Sequence, residues 1–444
     1  MDRTKIYVET LGCSKNLVRT QDFYRRLDYS NYEVVYSPEE ADMIVVNTCG
    51  FIEDAKKESI EQILEFGKLK EEGRIKKIIV TGCMAERYRE EVLKELPECD
   101  AVIGLGANGD IVDTLNAVMK GERVARFPDK SCWSLEGERL QTTPGFFAYL
   151  RISDGCNNCC TYCAIPKIRG GLRSREMENI LQEARKLAQG GVKELILVAQ
   201  DTTLYGIDIY GRQMLPELLE KLCEIDGIKW IRLLYCYPEH ITDRLLHVMA
   251  SQEKIVKYMD IPIQHVSKKV LKAMNRPGDY QTLKDKIAQI RSLVPGIVLR
   301  TTVMTGFPGE GEEEFNELCE FLNEIRFERL GCFAFSPEEG TPAAEMPNQV
   351  EDRVKQRRRD IVMQEQSRIA FEYNNEQIGK TMNILVESYD RYAGCWFGRS
   401  EADAPDIDGK VFFTCPPGKV KPGDIIRVQI TDTIDWDLVG ECCE

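Results

Sequence analysis

The sequence has no long apolar run, and its opening stretch is polar. No segment reaches the roughly 18 consecutive apolar residues that a membrane-spanning helix needs. The first ten residues, MDRTKIYVET, lack the apolar core of a secretory signal, so we expect a cytoplasmic protein that does not bind membranes. Wholesale disorder is also excluded, because 43% of the residues are hydrophobic and 30% are charged, as in folded domains.

Basic residues are scarce relative to acidic ones. The chain has 59 Lys and Arg against 73 Asp and Glu, a net charge of −14. This balance argues against a nucleic-acid coat protein and permits a basic partner. Cysteine is plentiful, with 17 in 444 residues, yet below the roughly 8–10% of a disulfide scaffold. In a reducing cytoplasm, clustered thiols indicate metal or redox ligands first.

The length predicts about three domains, at roughly 150 residues each. Within residues 3–120, apolar runs at 5–10, 42–47 and 76–82 alternate with helical patterns such as Glu58–Lys70. This alternation predicts a parallel sheet with helices on both faces, a Rossmann- or flavodoxin-like α/β domain. Residues 121–141 lose the periodicity and predict a linker.

Six further strand candidates lie between residues 146 and 336, most of them separated by amphipathic helical stretches. For residues 142–373 we therefore predict an open (βα)6 TIM-like barrel, with its active site at the carboxyl ends of the strands. After a charged helical stretch, residues 374–442 contain short β-type runs broken by Gly, Pro and Asp. That pattern is typical of a small antiparallel β-barrel.

The strongest chemical signal is GCNNCCTYC, directly after the first barrel strand. Cys156, Cys160 and Cys163 have C-x3-C-x2-C spacing, with Cys159 as an extra thiol. Three thiolates in a short loop can hold an iron–sulfur cluster and leave one iron open to a small molecule. The alternative is a zinc knuckle, since the loop also contains two C-x2-C pairs. Those pairs abut, which leaves no room for two opposed turns around one ion.

A second group of cysteines follows the strands of the first domain. Cys13, Cys49 and Cys83 are 36 and 34 residues apart, and each comes directly after an apolar run. Because the carboxyl ends of parallel strands lie along one edge of a sheet, these thiols should converge on a second three-thiolate site. The alternative is that they are ordinary core cysteines, which usually lie within strands.

The cysteine loop, with Tyr162 before its last cysteine and six βα units following, resembles the radical S-adenosylmethionine (SAM) superfamily. With the second trio and a terminal β-barrel, the chain is similar to radical-SAM methylthiotransferases, which end in a TRAM domain. The resemblance implies that each trio holds a [4Fe-4S] cluster. It also implies that one SAM methylates cluster-bound sulfur and that a second is cleaved to the radical that removes hydrogen from a C–H bond.

Weaker signals complete the candidate SAM site. The turn TGFPGE contains Gly306, Gly309 and Glu310 and resembles the family's SAM-contacting stretch, although an ordinary Gly-Pro turn is the alternative. Gln200 and Asp201 end a barrel strand and could face SAM. We interpret His265 as a core or rim residue as readily as a participant, and the remaining cysteines as structural or incidental.

The charge of the terminal barrel bears on the substrate. From residue 374 onward there are 13 acidic residues against 7 Lys and Arg, and EADAPDIDG (401–409) has four acids and no base. Such a domain should repel RNA and attract a basic protein. LGCSKN, YMDIPIQHVSKKVLKAMNRPG and GRSEADAPDIDG likewise resemble the family branch that modifies an aspartate in small-subunit ribosomal protein twelve. The alternatives are the tRNA-modifying branch and a noncatalytic, zinc-stabilised ribosome-binding protein. We expect a monomer that draws on a low-potential electron donor and a sulfur donor.

Overall fold

The protein is described by a computed structural model that covers residues 3–443. The chain divides into two compact units. The first comprises the residues up to 142, 153–175 and 336–344, and the second comprises 143–152, 176–335 and the residues from 345 onward. Within the described residues, no helix is both long enough and apolar enough to cross a membrane.

The first unit is built on a parallel six-stranded sheet with the order β2-β1-β3-β4-β5-β6. Helices cover both faces, so the central strands MIVVNT and KIIVTG are buried along almost their whole length. The strands are β1 (Thr4–Thr10), β2 (Tyr32–Val34), β3 (Met43–Thr48), β4 (Lys77–Gly82), β5 (Ala101–Ile103) and β6 (Val124–Arg126). The helices are α1 (Ser14–Arg26), α2 (Glu53–Glu71), α3 (Cys83–Tyr88), α4 (Glu90–Glu95) and α5 (Ile111–Met119).

This strand order confirms the predicted flavodoxin-like fold and fixes where a ligand can bind. The order reverses between β1 and β3, and the crevice at such a switch point lies at the carboxyl ends of the strands. The segment 121–141, predicted as a linker, contains β6, which pairs with β5. A strand of three residues is too short to show a periodicity.

Strand β7 (Phe147–Arg151) belongs to the second unit, and the chain enters the first unit again at Ser153. Residues 153–175 form a short antiparallel ladder of β8 (Ser153–Asp154) and β9 (Arg173–Ser174). Helix α6 (Ile165–Arg169) lies between them, and the cysteine loop joins β8 to α6. This hairpin carries the C-x3-C-x2-C motif.

The second unit contains the predicted open barrel. Its six parallel strands have the order β14-β13-β12-β11-β10-β7, which confirms all six strand predictions. The strands that follow β7 are β10 (Glu194–Val198), β11 (Trp230–Leu233), β12 (Ile255–Gln264), β13 (Val298–Thr305) and β14 (Arg329–Ala334). The helices are α7 (Met177–Gln189), α8 (Ile207–Tyr210), α9 (Leu215–Cys223), α10 (Asp243–Ser251), α11 (Lys268–Ala273), α12 (Tyr280–Leu293) and α13 (Glu312–Ile325).

The long helix α14 (Asp352–Asn375) leads into a closed barrel with the order β15-β16-β17-β19-β18. Its strands are β15 (Thr381–Asp390), β16 (Cys395–Ser400), β17 (Val411–Thr414), β18 (Ile425–Ile434) and β19 (Asp437–Cys442). The predicted small barrel is confirmed, with one difference: β17 and β19 pair in parallel. A disulfide joins Cys415 to Cys442, a pairing that the sequence pattern did not indicate.

Candidate functional site: two cysteine trios in one compact unit

Three cysteines lie at the carboxyl ends of three adjacent strands in the first unit. Cys13 is the N-cap residue of α1, Cys49 follows β3 directly, and Cys83 begins α3. Burial, followed by the negative charge of Cys83, raises the pKa of the Cys49 thiol to about 11, and Cys13 adds to this shift. The three cysteines therefore lie along one edge of the sheet, and the charges of Cys83 and Cys13 act on Cys49. That they form one three-thiolate site stays a prediction.

Positive charge opposes this mutual repulsion. Burial alone would raise the pKa of the Cys13 thiol, but Lys15, Arg169 and backbone donors at the start of α1 outweigh burial and lower it. The N-terminus of a helix favours a thiolate in the same way. The surroundings of Cys13 therefore favour its thiolate, which is the form that binds iron.

Asn16 fastens the three strand ends to one another. Its Nδ2 donates to the carbonyl of Leu11 at 2.9 Å and to the carbonyl of Thr48 at 3.0 Å. Its Oδ1 accepts from the Cys83 thiol at 3.7 Å. One fully buried side chain thus contacts the segments that carry all three cysteines.

A close backbone approach completes this site. Gly12 has a φ of +86°, and a Cβ there would lie 2.7 Å from Cys49 Cβ and 2.8 Å from Cys49 Sγ. Only glycine allows the turn after β1 to pass this close to the second cysteine.

The other trio lies in the loop between β8 and α6. Cys160 is buried, Cys156 and Cys163 are half-buried, and Cys159 is exposed with a φ of +50°. The loop is anchored by Cys156, whose N–H donates to the Gly170 carbonyl at 3.1 Å. Burial raises the pKa of the Cys163 thiol to about 12.

Both trios lie in the same compact unit and pack through its core. Cys83 shares a buried apolar cluster with Ala164 and Ile168, which follow the cysteine loop. Arg169, at the end of α6, donates from Nη2 to Cys83 Sγ at 3.4 Å and to Asn16 Oδ1 at 2.9 Å. The segment with one trio therefore supplies a charged donor to the other.

The surroundings of Cys13, Cys49 and Cys83 fit an anionic group such as an iron–sulfur cluster. Within residues 3–443, no three or more His, Cys, Asp or Glu side chains are close enough together to hold one metal ion. An anionic cluster bound by cysteines needs hydrogen-bond donors nearby. Arg169 Nε is a buried donor with no hydrogen-bond partner in the protein, and it belongs to the guanidinium that contacts Cys83.

The candidate SAM residues of the second unit follow the carboxyl end of β10. Asp201 is buried; its Oδ1 accepts from the Thr203 N–H at 3.0 Å, and its Oδ2 lies 2.8 Å from His240 Nδ1. His240 stacks on Tyr237 with ring centroids 5.0 Å apart. Gln200 lies beside Asp201 with its Oε1 buried. Asp201 therefore orients a histidine that the sequence analysis did not single out.

The TGFPGE turn is held from within. Glu310 is 4% exposed; its Oε2 accepts from the Gly306 N–H at 2.8 Å, and its Oε1 accepts from Arg358 at 2.8 Å. The buried His265 places Nε2 3.4 Å from the same carboxylate. Glu310 thus holds the turn in its conformation. A Cβ at Gly309 would meet no heavy atom within 4 Å, so the backbone at Gly309 is open to an approaching ligand.

The interpretation of the acidic segment 401–409 needs correction. Asp403 accepts from Arg329 at 2.8 Å, and Asp408 accepts from the Tyr258 hydroxyl at 2.6 Å. Both carboxylates are about 2% exposed, because they face arginines and a tyrosine of the (βα)6 barrel. Half of the acids in this segment are therefore internal partners and cannot attract another protein. The acidic excess of the terminal barrel lies mainly in other residues.

Comparison with known proteins agrees with this architecture. Residues 5–104 match the family described as "Uncharacterized protein family UPF0004", residues 150–322 match the radical SAM superfamily, and residues 378–443 match the TRAM domain. The three domains and the cysteine loop define a radical SAM enzyme, which uses a [4Fe-4S] cluster and SAM.

Relatives of nearly equal length narrow the class. The ribosomal protein uS12 methylthiotransferase RimO of Thermoanaerobacter sp. is 48% identical over 433 residues, covering 97% of this chain and 98% of that protein. The protein of the same name from Clostridioides difficile is 46% identical over 438 residues, with 98% of each chain covered. The chain belongs to this family, the RimO methylthiotransferases, and is a SAM-dependent transferase.

Solved structures of lower similarity show the fold alone. The radical SAM methyltransferase TsrM from Kitasatospora setae has a TM-score of 0.56 at 12% identity, covering 86% of this chain and 81% of that one. The cobalamin-dependent radical SAM enzyme OxsB has a TM-score of 0.50 at 14% identity, covering 83% of this chain and 56% of that one.

Proposed function

We propose that the enzyme replaces a hydrogen on the β-carbon of an aspartate in ribosomal protein uS12 with a methylthio group. The observation that carries this proposal is the pair of cysteine trios in one compact unit, in a chain whose relatives bear the name uS12 methylthiotransferase. Cys156, Cys160 and Cys163 would hold the cluster that binds SAM. Cys13, Cys49 and Cys83 would hold a second [4Fe-4S] cluster, which handles the inserted sulfur.

When bound, the first cluster and SAM supply the radical that removes hydrogen, and the second cluster supplies the sulfur that a further SAM methylates. The residues of the chain hold and orient these groups. We assign Tyr162 to the SAM side of the cysteine loop, and Gln200 and Asp201 to the methionine group of SAM, Asp201 acting through its bond to His240.

We assign the TGFPGE turn to the adenosyl group of SAM. Gly309 would provide the point of closest backbone approach, since the space beside it is open. Gly306 and Glu310 would keep the turn in shape through their mutual hydrogen bond.

The substrate protein would dock on exposed acids of the TRAM barrel outside 401–409. Asp432, Asp435 and Glu441 are exposed on β18, β19 and the turn between them. Like charge would disfavour RNA there and attract a strongly basic protein. We further propose a monomer supplied by a low-potential electron donor and a separate sulfur donor.

The test is a direct comparison of substrates. Anaerobically reconstituted enzyme, SAM and reductant are incubated with purified uS12 or with unmodified tRNA, and each product is measured by mass spectrometry. We expect the mass gain of one methylthio group on one aspartate of uS12 and none on tRNA. A gain on tRNA without one on uS12 would refute the proposal. Two clusters also require about eight iron and eight sulfide per chain, whereas zinc without sulfide would reject them.

A further inference from the structure

Arg169 connects the two cysteine segments through a buried chain of charges. Its Nη1 donates to Asp154 Oδ1 at 3.0 Å, and the other oxygen of Asp154 accepts from Arg19 Nη2 at 2.7 Å. Asp154 lies two residues before Cys156 in the chain. The Arg169 and Asp154 side chains are each 1% exposed, so water does not screen their charges.

The other guanidinium nitrogen faces the second trio. Nη2 lies 3.4 Å from Cys83 Sγ, within the reach of an N–H···S hydrogen bond, and Nε is buried without a partner in the protein. A guanidinium stays protonated at any ordinary pH, so this is a permanent positive charge. Hydrogen bonds to cluster sulfurs and nearby charge are the means by which a protein sets a cluster's potential.

We propose that Arg169 is a positioning residue that holds Cys83 and raises the reduction potential of a cluster bound by Cys13, Cys49 and Cys83. Reduction adds one electron to an anionic cluster, and a buried cation beside a ligand stabilises that added charge. Asp154 lowers the reduction potential of the same cluster, because its negative charge offsets part of the positive charge of Arg169. Asp154 belongs to the segment that carries the first trio. The ion pair of Arg169 and Asp154 therefore connects that segment to the reduction potential of the second cluster.

This inference rests on the proposed second cluster, so the experiment isolates that cluster. The parent is the full-length protein with Cys156, Cys160 and Cys163 changed to alanine, reconstituted anaerobically. Its midpoint potential is measured by dithionite titration with redox mediators, with electron paramagnetic resonance as the signal. Variants Arg169→Gln, Arg169→Lys and Asp154→Asn are compared with Arg25→Gln, which removes the same charge from an exposed surface pair of the same unit.

We expect Arg169→Gln to disfavour reduction at least tenfold, a shift of about 59 mV or more to lower potential for one electron. Arg169→Lys, which keeps the charge, and Arg25→Gln should both stay within about threefold of the parent. Asp154→Asn should favour reduction, with a shift of opposite sign that general loosening of the site would not produce.

Three results would contradict the inference. Arg169→Gln could match Arg25→Gln at full iron content. If Arg169→Gln binds no iron, an Asp154→Asn potential that is unchanged or lower overturns the inference on its own. If the parent binds no iron while the wild type binds about four ions per chain, the proposed second cluster itself is wrong, and the inference fails with it.

Discussion

Asn16 donates from Nδ2 to the carbonyl of Thr48, 3.0 Å away, and Thr48 immediately precedes Cys49. The same amide nitrogen donates to the carbonyl of Leu11 at 2.9 Å, two residues before Cys13. Asn16 therefore ties the ends of β1 and β3 together where the strand order reverses. An open crevice is general to this topology, and the Asn16 side chain joins the two strand ends beside it through these hydrogen bonds.

Replacement of Asn16 by alanine should allow the ends of β1 and β3 to move apart. Two buried carbonyls would lose their donor, at a cost of about 1–3 kcal/mol each in the free energy of unfolding. We expect Asn16→Ala to retain about four of eight iron ions per chain after reconstitution. Asn31→Ala is the matched control, since the Asn31 side chain donates to the exposed carboxylate of Asp28 in the same unit. Full iron content in Asn16→Ala would show that the hydrogen bonds of Asn16 are not needed for cluster binding.

Alanine variants of two glycines in the first unit distinguish the effect of backbone strain from the effect of a steric clash. Gly12 (φ +86°) and Gly73 (φ +75°) adopt similar left-handed conformations, but only a Cβ at Gly12 would collide with Cys49. Gly73→Ala should therefore cost only the strain, about 1–2 kcal/mol of stability, and leave the iron content unchanged. Gly12→Ala should lose the second cluster as well. Equal iron content in the two variants would contradict the proposed packing of Gly12 against Cys49.

The second unit offers a prediction of pH dependence. Glu194 is fully buried between Arg232 and Arg399, each 2.7 Å away. Burial alone would raise the pKa of the Glu194 carboxyl, but the two arginines outweigh burial and lower it. A lowered pKa in the folded state stabilises the protein above the ordinary value of 4.5, and this stabilisation is lost as the pH falls through the folded pKa.

Glu194→Gln should therefore cost about 3–5 kcal/mol at pH 7, because it leaves buried arginines unpaired. The difference from the wild type should shrink below pH 4.5. Urea unfolding of the full-length, cluster-free protein at pH 7 and at a pH below 4.5 measures these differences in the free energy of unfolding. Using the cluster-free protein avoids the loss of clusters in acid. Glu220→Gln, in an exposed pair with Arg244, should cost at most about 1 kcal/mol with no pH trend. The prediction fails if the Glu194→Gln difference is the same at both pH values.

Docking of the substrate is better tested by surface variants than by deletion of the terminal barrel. Deletion would leave Arg232, Arg300 and Arg329 of the (βα)6 barrel without Ser400, Asp408 and Asp403 as partners. Asp432→Asn with Asp435→Asn should raise the KM for uS12 about two- to fivefold at low salt and leave kcat unchanged, with the effect lost at high salt. Glu90→Gln with Glu91→Gln removes as much charge from the first unit and should change neither constant. Unchanged KM in the barrel variant would refute the acidic docking surface.

Long apolar strands could be predicted from the sequence, and short ones could not. Strands β1, β3 and β4 and the six barrel strands contain enough apolar residues to be recognised, because their sheets are covered by helices. Strands β2, β5 and β6 are three residues each and carry no periodicity. The placement of Cys13, Cys49 and Cys83 at one edge of the sheet followed from strand polarity alone, which is a property of any parallel sheet.

The network around the cysteines was beyond sequence reasoning. Arg169 meets Cys83 across 86 residues and Asn16 across 153, and such contacts depend on how distant segments pack. His240 was likewise missed, since its bond to Asp201 joins the loops after two different strands. The prediction that the acidic segment 401–409 attracts a basic protein was wrong for Asp403, which is buried against Arg329. A count of charges does not distinguish such a buried carboxylate from an exposed one.

The separation of roles between the two trios is the central claim, and one paired measurement tests it most directly. Cys49→Ala and Cys156→Ala enzymes are reconstituted and assayed with SAM, reductant and uS12, and both 5′-deoxyadenosine and methylthiolated uS12 are quantified in the same reactions. We predict that Cys156→Ala forms neither product, whereas Cys49→Ala forms 5′-deoxyadenosine but no methylthiolated uS12. Methylthiolated uS12 from Cys49→Ala at the wild-type rate would contradict the account.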